Sequence, residues 1–66
     1  MRSLKNIFES IVKSYNNNDC INFIDLRDLD IILKSNDLVK SFIKTYNEKE
    51  KINFIQLRDL EQLTKK

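Results

Sequence analysis

Glycine, proline, histidine and tryptophan are all missing from this chain of 66 residues. Without glycine or proline, every tight turn falls to Asn, Asp, Ser or Lys, and left-handed backbone positions fall to Asn and Asp. Strand-rich folds, which lean on Gly- and Pro-containing turns, are thereby disfavoured. The lack of histidine has a chemical consequence as well. With no glycine-rich phosphate loop and no nucleophile beside a base, the usual catalytic constellations cannot be assembled, and no enzyme activity is expected.

Cysteine is nearly absent. Cys20 is the single thiol, so an intramolecular disulfide is impossible and a reducing compartment is expected. Long apolar runs are missing too: Arg2, Lys5, Glu9 and Lys13 break up the start of the chain, leaving nothing like a signal peptide or a span of roughly 18 apolar residues. The expected location is the cytoplasm, or the host cytoplasm for a viral or phage product, with no membrane partner. Neither sign of charge dominates, since 12 basic and 10 acidic side chains give a net +2, too little to demand a polyanion. The balance is uneven along the chain: residues 1–31 carry four basic and five acidic side chains, and residues 32–66 carry eight and five. Asn, Ile and Lys together supply 26 of the residues, a bias typical of AT-rich genomes such as those of low-GC bacteria, their phages and some large DNA viruses.

What is present is a repeat. Ile-Asn-Phe-Ile-Asp-Leu-Arg-Asp-Leu-Asp at Ile21 to Asp30 returns as Ile-Asn-Phe-Ile-Gln-Leu-Arg-Asp-Leu-Glu at Ile52 to Glu61, a period of 31 residues. Each copy carries a helix-start signature. Asn22 sits at the N-cap with Asp25 at N3, and Asn53 with Gln56 repeats that box, in which the cap accepts from the N3 amide while the N3 side chain reaches back to the cap amide. Ile21 with Leu26, and Ile52 with Leu57, occupy the two positions of a hydrophobic staple.

The segments before each box also read as helices. Leu4, Ile7, Phe8, Ile11, Val12 and Tyr15 keep i, i+3, i+4 spacing behind the candidate cap Ser3, and Leu38, Val39, Phe42, Ile43 and Tyr46 do the same behind Ser35, Asn36 and Asp37. Asn16 to Asp19 and Asn47 to Lys51 form short polar loops. The second helix is expected from Phe23 to about Lys34 with Phe23, Leu26, Leu29 and Leu33 inward, and the fourth from Phe54 to about Thr64 with Leu57, Leu60 and Leu63 inward. Lys65 and Lys66 suit the negative end of the last helix dipole. Aligned at the repeat, Phe8 matches Val39, Ile11 matches Phe42, Val12 matches Ile43 and Tyr15 matches Tyr46, so large and small residues trade places as a shared core of constant volume requires. The expected fold is all-α, a single domain of four short helices: a tandem duplicated helix-loop-helix, with one repeat over 3–34 and the other over 35–66, packed about a pseudo-twofold axis.

Asn-Asn-Asn-Asp-Cys-Ile-Asn-Phe-Ile-Asp-Leu at Asn16 to Leu26 resembles the second part of a calcium loop, and the whole pattern resembles the EF-hand pair, especially its dockerin variant. The resemblance implies ligand positions at Ser14, Asn16, Asn18, Asn22 and Asp25, with Asp19 where the family places Gly. In the second loop it implies Thr45, Asn47, Lys49, Asn53 and Gln56, with Glu50 in the Gly position. One carboxylate in the first set and a lysine in the second give calcium too little charge, so neither a metal nor a cofactor is expected.

Two surface features carry candidate function. Ile24, Arg27, Asp28 and Ile31, repeated as Ile55, Arg58 and Asp59, form a stripe away from the inward leucines. It is either a protein-binding surface or a second buried side within the bundle. Lys40, Lys44, Lys49 and Lys51 cluster in the basic half and could hold phosphates, with Arg58, Lys65 and Lys66 as additions. The acidic residues Asp25, Asp28 and Asp30 read as a solvated helix face, with Arg27 paired to Asp30 and Arg58 to Glu61 three residues on. The leading expectation is a small non-enzymatic protein that binds another protein, an inhibitor or regulator of the size that phages, viruses and mobile elements encode; a homodimer is one form this could take. A nucleic-acid binder ranks second and a degenerate EF-hand-like divalent-ion module third.

Overall fold

A computed structural model describes residues 2–65 and contains four helices: α1 Leu4–Asn16, α2 Phe23–Leu33, α3 Asp37–Asn47 and α4 Phe54–Thr64. α1 and α3 end 31 residues apart, and so do the starts of α2 and α4, so the sequence period is also a structural one. Each helix touches its neighbours in a ring, α1 on α2 and α4, α3 on α2 and α4, while the diagonal pairs stay apart. This ring maps onto itself when the two halves are exchanged. Lys66, expected at the last helix end, lies outside the described residues.

The first helix start follows from Ser3, whose hydroxyl accepts from the Asn6 amide at 3.2 Å. Asn36 accepts from the Leu38 amide at 2.8 Å to start α3. In α4 the full capping box forms: Asn53 accepts from the Gln56 amide at 2.9 Å, and Gln56 Oε1 accepts from the Asn53 amide at 3.2 Å. α2 forms only half of it. Asn22 accepts from the Asp25 amide at 2.7 Å, but the Asp25 carboxylate, expected to reach back to the Asn22 backbone, instead receives the Asn22 side-chain amide at 2.8 Å. Other donors draw that carboxylate away.

The two loops close identically. The N–H of Asn18 donates to the Tyr15 carbonyl and that of Asp19 to the Ser14 carbonyl, at 3.0 and 2.9 Å; Lys49 to Tyr46 and Glu50 to Thr45 repeat this at 3.1 and 3.0 Å. Such a closure needs one left-handed residue just past the helix end. Here it is Asn18 at φ 60° and Lys49 at φ 57°. The left-handed residue is thus one position before Asp19 and Glu50, where the calcium-loop resemblance implied it. Lys49 and Ser35, at φ 60°, also depart from the expectation that Asn and Asp would fill such positions. An antiparallel bridge between Cys20 and Lys51 joins the loops and delivers the buried Ile21 and Ile52 to the core.

The core comprises Ile7, Ile11, Ile21, Leu26, Leu29, Val39, Phe42, Ile52 and Leu60. Leu29 matches Leu60, Ile21 matches Ile52 and Ile11 matches Phe42 across the repeat. The symmetry fails on α1 and α3. α1 buries Ile7 and leaves Phe8 half-buried, whereas α3 buries Val39 and leaves Leu38 half-buried. At this one turn α1 and α3 therefore commit neighbouring positions to the core, about 100° apart around the helix, while Ile11 and Phe42 stay in register. The traded volumes meet at Ile11 and Phe42 but not at Phe8 and Val39. Phe23, expected inward, is instead 58% exposed, because it is the first residue of α2 and its ring meets Tyr46 at the periphery, 6.4 Å between centroids. Leu33 and Leu63 are half-buried.

The caps carry the first testable consequence. Asn53→Ala should cost about 0.5–2 kcal/mol, and Asn22→Ala should lie at the upper end of that range because it also removes the bond to Asp25. Denaturant midpoints of both variants check this; midpoints equal to that of the unsubstituted protein would contradict the placement of the helix starts.

Candidate functional site

The polar interior at the start of α2 is the first candidate. Asp25 is 1% and Asp28 5% exposed, which corrects the expectation that Asp25, Asp28 and Asp30 form one solvated face; Asp30 alone is exposed. Arg2 explains the burial. Its Nη2 meets Asp25 Oδ1 at 2.6 Å and Asp28 Oδ2 at 3.0 Å, and its Nε donates to Asp28 Oδ2 at 3.2 Å. The second Asp25 oxygen accepts from Ser10 Oγ and from the Asn22 side chain, both at 2.8 Å. Every lone-pair direction of a buried carboxylate is better filled than left empty, and here protein donors fill both oxygens.

The second repeat solves the same position with a neutral group. Gln56, buried at the counterpart of Asp25, donates from Nε2 to Ser41 Oγ at 2.9 Å and to Thr45 Oγ1 at 2.7 Å. Ser41 is the counterpart of Ser10. Arg2 has Leu33 as its counterpart, so the cation is present only where the N3 residue is charged. Without such a cation Asp59, the counterpart of Asp28, is only half-buried and pairs with its neighbour Arg58 at 3.4 Å. Arg27 likewise pairs with Asp28 at 3.4 Å, not with Asp30, and Glu61 pairs with Lys65 at 3.7 Å, not with Arg58. The i+3 pairs fail because a shorter reach to the adjacent carboxylate is available.

Asp28 is held below the usual aspartate range because Arg2 donates to its carboxylate; burial opposes this, and Arg27 adds to it. The Arg2 guanidinium is held above its ordinary value, first by Asp25 and then by Asp28. A carboxyl whose folded pKa is lowered contributes stability above its unfolded pKa and loses it as pH falls through the folded value. Arg2→Met should therefore raise the Asp28 carboxyl pKa and move acid unfolding to higher pH. Carboxyl carbon NMR titration beside circular dichroism checks both shifts, and an unmoved Asp28 titration would contradict the pairing.

Of the residues assigned to the calcium-loop resemblance, Asp25 is saturated by protein donors, Ser14 bonds the Ser10 carbonyl at 3.3 Å and Thr45 bonds the Ser41 carbonyl at 3.0 Å. No group of three or more His, Cys, Asp or Glu side chains that could hold a metal ion occurs among the described residues. Millimolar calcium should leave the amide NMR shifts of Asn16 to Asp25 unmoved, because the one carboxylate of that set already serves Arg2. Saturable shifts there would overturn this.

The outer stripe is the second candidate. Ile24 is 56%, Ile31 45% and Ile55 58% exposed, and Arg27 and Arg58 are exposed as well. The stripe therefore faces outward rather than lying buried on a second side of the bundle. Asp28 must be removed from it, since Arg2 holds that residue inside. Phe23 and Phe54, 58% and 62% exposed, must be added, because each precedes its isoleucine at the first position of α2 or α4. Their signal in the sequence is the repeated Phe-Ile pair, in which the pattern assigns Phe23 inward, Ile24 and Ile55 outward, and Phe54 no face. Lys40, Lys44, Lys49 and Lys51 are all exposed. Cys20 is exposed and directs Sγ to the Lys49 carbonyl at 3.6 Å. No helix among the described residues is long and apolar enough to cross a membrane.

No family model matches the chain, and neither a curated protein nor a solved structure does.

Proposed function

We propose that this is a small non-enzymatic protein that acts by binding another protein, as an inhibitor or regulator of the kind that phages, viruses and mobile elements encode. The observation that carries the reading is the same outward Phe-Ile pair at the start of α2 and of α4, extended along α2 by Ile31. Scattered single apolar residues are ordinary on a surface. The same pair exposed twice at matched positions, flanked by Arg27 and Arg58, has the composition of an interface centre, where large apolar side chains and Arg are enriched. The folded scaffold presents these residues on helices, so little ordering entropy opposes their docking.

A nucleic-acid partner is the second reading. It is supported by Lys40 and Lys44 one turn apart on α3, with Lys49 and Lys51 following, all four exposed. A degenerate EF-hand-like divalent-ion module, with an EF-hand-like origin, is the third. The bridged pair of loops, each followed by a buried isoleucine, supports that origin for the scaffold, and the residues favour a version without a calcium site.

Affinity capture from the source cell, with and without nuclease and over a salt series, separates the readings. The protein-binding reading expects a captured protein that survives nuclease and depends weakly on salt. Retention that disappears with nuclease and falls steeply with salt would overturn it in favour of the second.

A further inference from the structure

The ring of helices has two seams that the repeat makes counterparts, α1 against α4 and α2 against α3, and they are built differently. In the α2–α3 seam Val39 and Leu26 are buried, and Phe23 packs against Tyr46. In the α1–α4 seam their counterparts Phe8 and Leu57 are only half-buried. A groove of about 260 Å³ opens there between Phe8, Val12, Phe54, Leu57, Arg58 and Glu61. It continues along α1 past Glu9 and Lys13. α1 commits Ile7 rather than Phe8 to the core, which leaves Phe8 on the seam.

The rim of this groove identifies an occupant by charge. α4 carries Arg58 and Glu61 three residues apart, and α1 carries Glu9 and Lys13 four residues apart, all four exposed. When such a face meets its own copy about a twofold axis lying across the helices, α4 runs antiparallel to the second α4 and α1 to the second α1. Arg58 then faces the second copy's Glu61 and Glu61 its Arg58, while Glu9 and Lys13 exchange partners in the same way. We propose that the α1–α4 seam is an isologous docking surface for a second copy of this chain, with Phe8, Val12 and Leu57 of the two copies meeting between the charged rims and Phe54 covering the ends. This surface leaves out Ile24 and Ile31 on α2, while it shares Phe54 and Arg58 with the outward residues of α4.

The test uses charge segregation in the full chain. Glu61→Arg makes the α4 rim wholly basic and Arg58→Glu makes it wholly acidic; both positions are exposed, so both variants keep the helical circular dichroism of the parent. Sedimentation equilibrium from about 1 µM to about 1 mM should show a monomer–dimer equilibrium for the parent, at least tenfold weaker self-association for each variant alone, and association restored when the two variants are mixed. Ile24→Asp with Ile31→Asp should leave that dimer intact. A parent that stays monomeric throughout the range, or variants that dimerise as tightly as the parent, would overturn the proposal. A dimer lost on substituting Ile24 and Ile31 but kept in the charge variants would likewise overturn it, placing self-association on α2.

Discussion

Phe42→Ala should remove most of the stability of this protein. Phe42 is 0% exposed at the centre of the ring, and truncating a buried phenylalanine costs about 3–5 kcal/mol through lost transfer energy and the cavity left behind. At roughly 0.05–0.15 kcal/mol per residue, a chain of this length has only about 3–10 kcal/mol to lose. Phe8→Ala, at a half-buried seam position, should cost less than half as much. The contrast is specific to α1 burying Ile7 in place of Phe8, because a strictly symmetric bundle would bury Phe8 as deeply as its counterpart Val39. Thermal and denaturant melts followed by circular dichroism check both, and equal losses at the two positions would contradict the asymmetry.

Ile24→Asp combined with Ile31→Asp should have the opposite profile. Ile24 is 56% and Ile31 45% exposed, so the pair loses about half of each side chain's burial and should cost about 1–3 kcal/mol, less than the loss of one core phenylalanine. Binding should fall by roughly 100-fold or more, because central apolar residues of an interface are each worth about 1–2 kcal/mol or more and a carboxylate there would be desolvated without a partner. Melting curves and a binding isotherm on the same preparations separate the effects. Unfolding of the double variant would show that these residues serve the core rather than a partner.

The sequence made some features plain and hid others, for identifiable reasons. Asn22 and Asn53 were legible because a cap is a local interaction between residues three apart, and the repeat states it twice. Helix number and the short connections followed from the same local signals. The Arg2 pairing was not legible: it joins residues more than 20 positions apart, and Arg2 has no counterpart in the second repeat to draw attention to it. One clue was available, since the same N3 position holds a charge in Asp25 and a neutral amide in Gln56, and a charge that is buried needs a partner its neutral twin does not. The burial of Ile7 rather than Phe8 was hidden for another reason. Leu4, Ile7, Phe8, Ile11 and Val12 contain two overlapping apolar stripes, one through Ile7 and Ile11 and one through Phe8 and Val12, and periodicity alone cannot say which faces the core. Packing against α2 and α4 decides it. Phe23 failed similarly, because helical phase assigns a face but not whether any neighbour reaches the first residue of the helix.

Isoleucine methyl NMR of the complex with the captured partner tests the central claim most directly, since the isoleucines are distributed over both environments the claim distinguishes. The methyls of Ile24, Ile31 and Ile55 should shift or broaden on binding, while those of Ile7, Ile11, Ile21 and Ile52, buried in the core, stay in place. Unmoved signals from Ile24, Ile31 and Ile55, together with backbone shifts concentrated at Lys40, Lys44, Lys49 and Lys51, would contradict the claim and put the working surface on α3 and the loop after it.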